Sequence, residues 1–176
     1  IYFGGGTPSV VPVTHIRDFL TRVRQDHQVA PKAEITIECN PNSISAEKIA
    51  AYQELGINRI SVGVQTLHPR PFETLGRIHS INQSLAAMTE LQRSQFSNWT
   101  ADLMFGLPHQ TLAQLKIDTM RILEFGPKHI SIYGLILENT TSFGKMFKAN
   151  QAPLPDEEIE ADMYEFLLTE LPSRGY

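Results

Sequence analysis

Short apolar runs alternate along this chain with longer stretches in which apolar residues recur every three or four positions. The runs Ile1–Phe3, Glu34–Glu38, Arg59–Val64, Thr100–Met104 and His129–Leu135 predict five strands. The stretches between them predict helices, because a 3.6-residue period gathers their apolar side chains on one face. Strand and helix in strict alternation is the pattern of parallel strands joined by helical crossovers. The fold class read from it is α/β, a single domain over residues 1–176. No short repeat or low-complexity tract interrupts the alternation.

Several helix ends are legible. Ile16, Phe19, Leu20 and Val23 fall at i, i+3, i+4 and i+7, with Thr14 as the expected N-cap. Ser80 to Gln83 and Thr111 to Gln114 both have capping-box spacing. The second box opens a helix with the stripe Leu112, Leu115, Thr119, Ile122 and Leu123. Gly126-Pro127 ends it, a left-handed cap followed by a residue that cannot continue a helix. A last helix follows Pro155-Asp156, with Ile159, Met163, Phe166, Leu167 and Leu171 on one face. Asn139 to Pro155 is expected to be irregular, a loop length that compact domains mostly reserve for function. The chain opens inside a strand pattern and stops just after a helical one, so the expectation is a segment cut from a longer protein. Such a segment leaves a sheet edge open to aggregation.

Polar residues cluster where the strands end. Gly4-Gly5-Gly6-Thr7 follows the first strand, Glu38 closes the second, Gln65 follows the third, Asp102 lies in the fourth, and Tyr133 and Glu138 mark the end of the fifth. In a parallel barrel all these carboxyl ends open onto one face, where such folds place their ligand sites. Each element also has a plainer reading. Three glycines make a tight turn as well as a ligand approach, and they carry neither Walker nor G-x-G-x-x-G spacing. Flanking Ile37 and Cys39 imply that Glu38 points into a crowded interior, where a carboxylate needs partners; Ala101 and Leu103 imply the same of Asp102. Arg77 reads as a surface cation, the more usual fate of a lone arginine, and spacing alone does not tie it to function.

Composition narrows the partners. The 176 residues are 41% hydrophobic, enough for one core, and 15 basic against 19 acidic side chains give a net charge of -4. That balance argues against a nucleic-acid surface held by phosphate contacts. No apolar run reaches the ~18 residues that span a membrane, and no basic-then-apolar leader opens the chain, so a cytoplasmic location is expected. The single cysteine, Cys39, excludes an internal disulfide and a metal centre built from several thiolates of this chain. It reads as a small buried apolar residue, and Trp99 as core. The six histidines have no metal-site spacing. Glu38 and Asp102 leave open an acid–base pair in a barrel hydrolase or lyase. A Schiff-base lysine is disfavoured, because no predicted strand contains one.

One combination is more specific than any of its parts. Tyr2-Phe3-Gly4-Gly5-Gly6-Thr7-Pro8-Ser9, Ile37-Glu38-Cys39-Asn40-Pro41, Asn58 to Gln65, Gly76-Arg77-Ile78-His79-Ser80 and Asp102 to Pro108 occur in this order over the whole chain. Together they resemble the radical S-adenosylmethionine (SAM) proteins of the oxygen-independent coproporphyrinogen III oxidase family. Asn40-Pro41, Gly76 to His79 and Ser131-Ile132-Tyr133-Gly134-Leu135 are more similar to its haem-chaperone (HemW-like) branch.

The resemblance implies part of a (β/α)6, TIM-like radical SAM barrel that binds SAM and a [4Fe-4S] cluster. The family's three cluster cysteines, spaced C-x3-C-x2-C, lie upstream of the stretch matched here, and Cys39 matches none of them. By the same resemblance Gly5 contacts the methionyl end of SAM and Glu38 holds the same molecule. Gly6, Thr7, Gln65, Arg77, Asp102 and Ile136 match positions that line a second SAM in the oxidase. The implied function is a haem chaperone that binds haem and passes it to an acceptor protein. The alternative is coproporphyrinogen III dehydrogenase, which converts two propionates of the porphyrinogen to vinyls and needs an electron donor. No catalytic or metal-ligating residue of this chain is assigned.

Overall fold

The computed structural model describes residues 1–94, 96–138, 140–146 and 154–176. Five strands form one sheet: β1 (Tyr2–Phe3), β2 (Thr36–Cys39), β3 (Arg59–Gln65), β4 (Trp99–Phe105) and β5 (His129–Gly134). Every neighbouring pair is parallel and the spatial order is the chain order, β1-β2-β3-β4-β5. A doubly wound sheet reverses direction at a switch point. This one never does, and the right-handed rule for crossovers between adjacent parallel strands lays the connecting helices against one face. The result is the wall of a partial α/β barrel.

Between the strands lie α1 (Val13–Asp26), α2 (Ala46–Glu54), α3 (Pro69–Thr74), α4 (Ile81–Arg93) and α5 (Leu112–Leu123). Beyond β5 come α6 (Ser142–Met146) and α7 (Glu157–Ser173). Residue alternation explains the two faces of the sheet. Ile37, Ile60, Val62, Val64, Ala101 and Leu103 are buried under the helices, while Glu38, Ser61, Gly63 and Asp102, one step out of phase, face the barrel interior.

Local chemistry fixed several boundaries as expected. Both capping boxes form, with Ser80 and Thr111 accepting from the backbone N–H of Gln83 and Gln114 and those glutamines accepting in return. Gly126 takes φ of 67° just past α5. Other expectations are corrected. Pro12, not Thr14, occupies the N-cap of α1, since the helix is already under way at Val13. Phe19 is exposed and packs edge-on to Phe3 instead of entering the core. In α5 the buried stripe is Leu115, Asp118, Thr119 and Ile122, with Leu112 and Leu123 at its margins. In α7, Met163, Leu167 and Leu171 are buried and Ile159 is exposed, a stripe at strict four-residue steps. The stretch expected to be irregular contains α6, and its positions 139 and 147–153 lie outside the described residues. Among the described residues no helix is long and apolar enough to cross a membrane.

Candidate functional site

A cavity of about 200 Å3 opens at the carboxyl ends of the strands. Its wall takes Gly6 and Thr7 from the loop after β1, Glu38 from β2, Ser61, Gly63 and Gln65 from β3, and Asp102 from β4; Arg77 comes from the link between α3 and α4. The volume is below the range of roughly 300–1,000 Å3 usual for whole ligand sites. It suits the polar end of a larger molecule lying across the open rim.

Glu38 organises one side. The hydroxyl of Tyr2 donates to its Oε1 at 2.8 Å and the Gly5 N–H donates to its Oε2 at 3.1 Å. Glu38 is therefore half-buried at the rim and anchored by the loop after β1, rather than sunk in a crowded interior as its apolar neighbours implied. Gly5 and Gly6 have φ of 83° and 59°, and a Cβ on either would stand in open space. The turn therefore needs glycine for its backbone conformation. Burial, and then the Glu38 hydrogen bond, push the Tyr2 phenol up to about 12, so it stays a donor at any physiological pH.

Asp102 organises the other side. Its Oδ1 accepts from the Ser61 hydroxyl at 2.9 Å, and Ser131, its register partner on β5, also hydrogen-bonds it. Burial nevertheless raises the carboxyl to about 6; the two serines and Arg77 pull it down, and Glu38 pushes it up. The Arg77 guanidinium is itself lowered by burial, and Asp102 opposes that shift. Two carboxylates against one guanidinium leave the cavity negative above pH 6. It favours a ligand with a cationic centre and still offers Arg77 to an anionic group. The backbone link carrying Arg77 is pinned by His79, which is buried edge-on to Phe72. Burial, then the charge of Arg77, lower the His79 imidazole to about 4, so it is neutral at physiological pH.

Gln65 sits between the two sides. It is buried, its Oε1 has no hydrogen-bond partner, and its backbone takes φ of 70°. Gly63 makes room for it, since a Cβ there would lie 3.1 Å from Gln65 Nε2 and 3.9 Å from Arg77 Nη2. An unpartnered buried amide oxygen beside an open glycine is a ready acceptor for a ligand donor.

The structure thus gathers Gly5, Gly6, Thr7, Glu38, Gln65, Arg77 and Asp102 at one rim. It does not bring Ile136 there, which is 80% exposed beyond β5 and outside the cavity wall. Tyr2, Ser61 and Gly63 were missed in the sequence. Ser61 and Gly63 carried a signal, because they share the two-residue phase that leads to Gln65. Tyr2 carried none, since its bond to Glu38 spans 36 positions. For a metal the described residues offer little. Cys39 is buried, with burial pushing its thiol up to about 12, and no group of three His, Cys, Asp or Glu among the described residues could hold an ion.

Residues 1–119 match the family model described as the Radical SAM superfamily. The protein named Heme chaperone HemW from Lactococcus lactis subsp. lactis is 36% identical over 176 residues, covering 100% of this chain and 46% of that protein. Its namesake from Synechocystis sp. is 39% identical over 164 residues, 93% of this chain and 40% of that one. Among solved structures, the coproporphyrinogen III oxidase HemN from Escherichia coli, described as a radical SAM enzyme, superposes with a TM-score of 0.88 at 25% identity. That match covers 99% of this chain and 40% of that one. The chain spans less than half the length of these relatives.

Proposed function

The chain belongs to the radical SAM superfamily, and from that premise we propose that its cavity binds S-adenosylmethionine within a cytoplasmic haem chaperone. The observation that carries the reading is the convergence of Glu38, Gln65, Asp102, Arg77 and an open glycine turn on one rim. The ligand's chemistry suits that donor set. An α-ammonium and a sulfonium meet a cavity with two carboxylates, and an α-carboxylate meets Arg77 and exposed backbone N–H groups. Gly5, Gly6 and Thr7 offer the backbone edge, and Glu38 and the orphaned Oε1 of Gln65 accept from the ligand's N–H and O–H groups. These contacts divide between two SAM molecules in the proposal: Gly5 and Glu38 hold one, and Gly6, Thr7, Gln65, Arg77 and Asp102 line a second, joined by Ile136 once further segments cover it.

SAM bound to a reduced cluster supplies radical chemistry in this superfamily, and the protein's part is to bind, orient and exclude water. The [4Fe-4S] cluster takes its cysteines from outside these residues, since Cys39 is a buried thiol facing the helix layer. Residues 1–176 form the core of one domain in this reading, with the cysteine segment before it and a C-terminal domain after it. Haem is the cargo, and an acceptor protein and an electron donor are the partners. The chaperone reading is supported by relatives of that name at 36% and 39% identity.

A second reading, coproporphyrinogen III dehydrogenase, is favoured by the superposition on HemN. The acid–base hydrolase reading of Glu38 and Asp102 explains no observation that SAM binding leaves over.

The test uses the full-length protein, anaerobic and with its cluster reconstituted. Calorimetry is expected to detect SAM binding, and absorbance titration a stable haem complex without conversion of coproporphyrinogen III. Absence of SAM binding overturns the assignment of the cavity. Protoporphyrinogen formation transfers the protein to the second reading.

A further inference from the structure

The link after β3 is held in a conformation that glutamine rarely adopts. Gln65 has φ of 70°, and the Thr66 N–H reaches back to the Val64 carbonyl at 2.9 Å. A three-residue turn closed around a positive φ is strained for any residue with a side chain, and it persists only where the surroundings over-determine it. Here the ladder between β3 and β4 also slips by one residue, from Gly63 opposite Asp102 to Gln65 opposite Leu103.

The constraint comes from the helix layer. Asp118 on α5 is 1% exposed, and its Oδ2 accepts the Thr66 hydroxyl at 2.5 Å and the Leu67 N–H at 3.1 Å. Its Oδ1 stands 3.5 Å from Nε2 of His68, and the His68 N–H donates to Thr66 Oγ1 at 3.2 Å. Two consecutive residues after Gln65 are hydrogen-bonded to one carboxylate that never touches the cavity, and the His68 ring stands beside it without a hydrogen bond. An apolar side chain would fill that seam between helix and sheet without the desolvation of a carboxylate. The carboxylate's hydrogen-bond donors all belong to the turn.

We infer that Asp118 is a positioning residue: it locks the turn over residues 64–68 so that Gln65 presents its unpartnered amide oxygen to the ligand. The inference rests on the reading of the cavity as a SAM site.

The test compares Asp118→Ala, Asp118→Asn, Gln65→Ala and the double variant Asp118→Ala/Gln65→Ala in the full-length protein. SAM affinity is measured by calorimetry and backbone exchange by hydrogen–deuterium mass spectrometry. Asp118→Ala is expected to weaken SAM by about tenfold, the usual scale for one hydrogen bond to a charged group. Asp118→Asn, whose amide oxygen still accepts both donors, restores most of it. The double variant is no weaker than Gln65→Ala, because both changes remove the same contact. Exchange speeds up over residues 64–68 and not in β4, which a merely structural role would not produce.

A folded Asp118→Ala with unaltered SAM affinity, or a loss that adds fully to that of Gln65→Ala, overturns the inference. Where Asp118→Ala fails to fold, Thr66→Val removes one donor at constant shape and is read the same way. If the unmutated protein binds no SAM, the reading of the cavity falls; the clamp is then judged by exchange alone, and unchanged exchange over residues 64–68 overturns it.

Discussion

Ser61 on β3 donates its hydroxyl hydrogen to Oδ1 of Asp102 on the neighbouring strand at 2.9 Å, two residues diagonal to the register that sets Gly63 beside Asp102. The bond stabilises the ionised carboxylate, and burial outweighs it, leaving Asp102 at about 6 against an ordinary 3.8. The charge of the cavity is therefore set within the physiological range.

A pH dependence follows with a definite sign. A cationic ligand binds the ionised form, so SAM affinity rises roughly tenfold between pH 5 and pH 7 as the carboxyl titrates. Ser61→Ala removes a donor to the carboxylate and moves that midpoint upward. The same shift acts on stability in the opposite sense. The folded state holds the proton until about 6 and the unfolded chain gives it up near 3.8, so this group costs stability as pH rises between them. Calorimetry across pH checks the first statement, and denaturant midpoints check the second.

Glu38→Ala removes the acceptor for both Tyr2 and Gly5 and is expected to weaken SAM by about tenfold or more, with a smaller loss for Tyr2→Phe. Glu38→Gln keeps one acceptor oxygen and falls between. Unchanged affinity in Glu38→Ala would take this residue out of the site.

Gly63→Ala separates binding from folding. Gly63 is not in the left-handed region, and the added methyl meets only Gln65 Nε2 at 3.1 Å and Arg77 Nη2 at 3.9 Å. Unfolding free energy is expected to stay within about 0.5 kcal/mol of the parent, as for a surface change. Ligand affinity falls because the methyl displaces Gln65. A drop in both would show that the methyl disturbs the strand itself.

The two capping boxes give a stability control outside the cavity wall, with Thr111 the more distant and Ser80 three residues beyond Arg77. Ser80→Ala and Thr111→Ala are each expected to cost about 1 kcal/mol, and the sum in the double variant, since the two caps share no hydrogen-bond partner. SAM affinity measured on folded Thr111→Ala stays at the parent level.

Much of this was legible in the sequence because it is local. The five strands, their alternating faces, both capping boxes and the Gly126 stop depend on residues within a few positions of one another. Propensity and period act over that range. The gathering of Glu38, Gln65 and Asp102 at one rim was legible too, since parallel strands necessarily share a carboxyl end. What the sequence could not decide were the partners of polar groups across 36 to 52 positions: Tyr2 with Glu38, Ser61 with Asp102, Thr66 with Asp118. Asp118 was no part of the stripe Leu112, Leu115, Thr119, Ile122 and Leu123, and Phe19 was placed on the apolar face of its helix. Their fates turn on sheet register and on which helix face the crossover lays down, and those are set by packing of the whole layer rather than by any neighbouring residue.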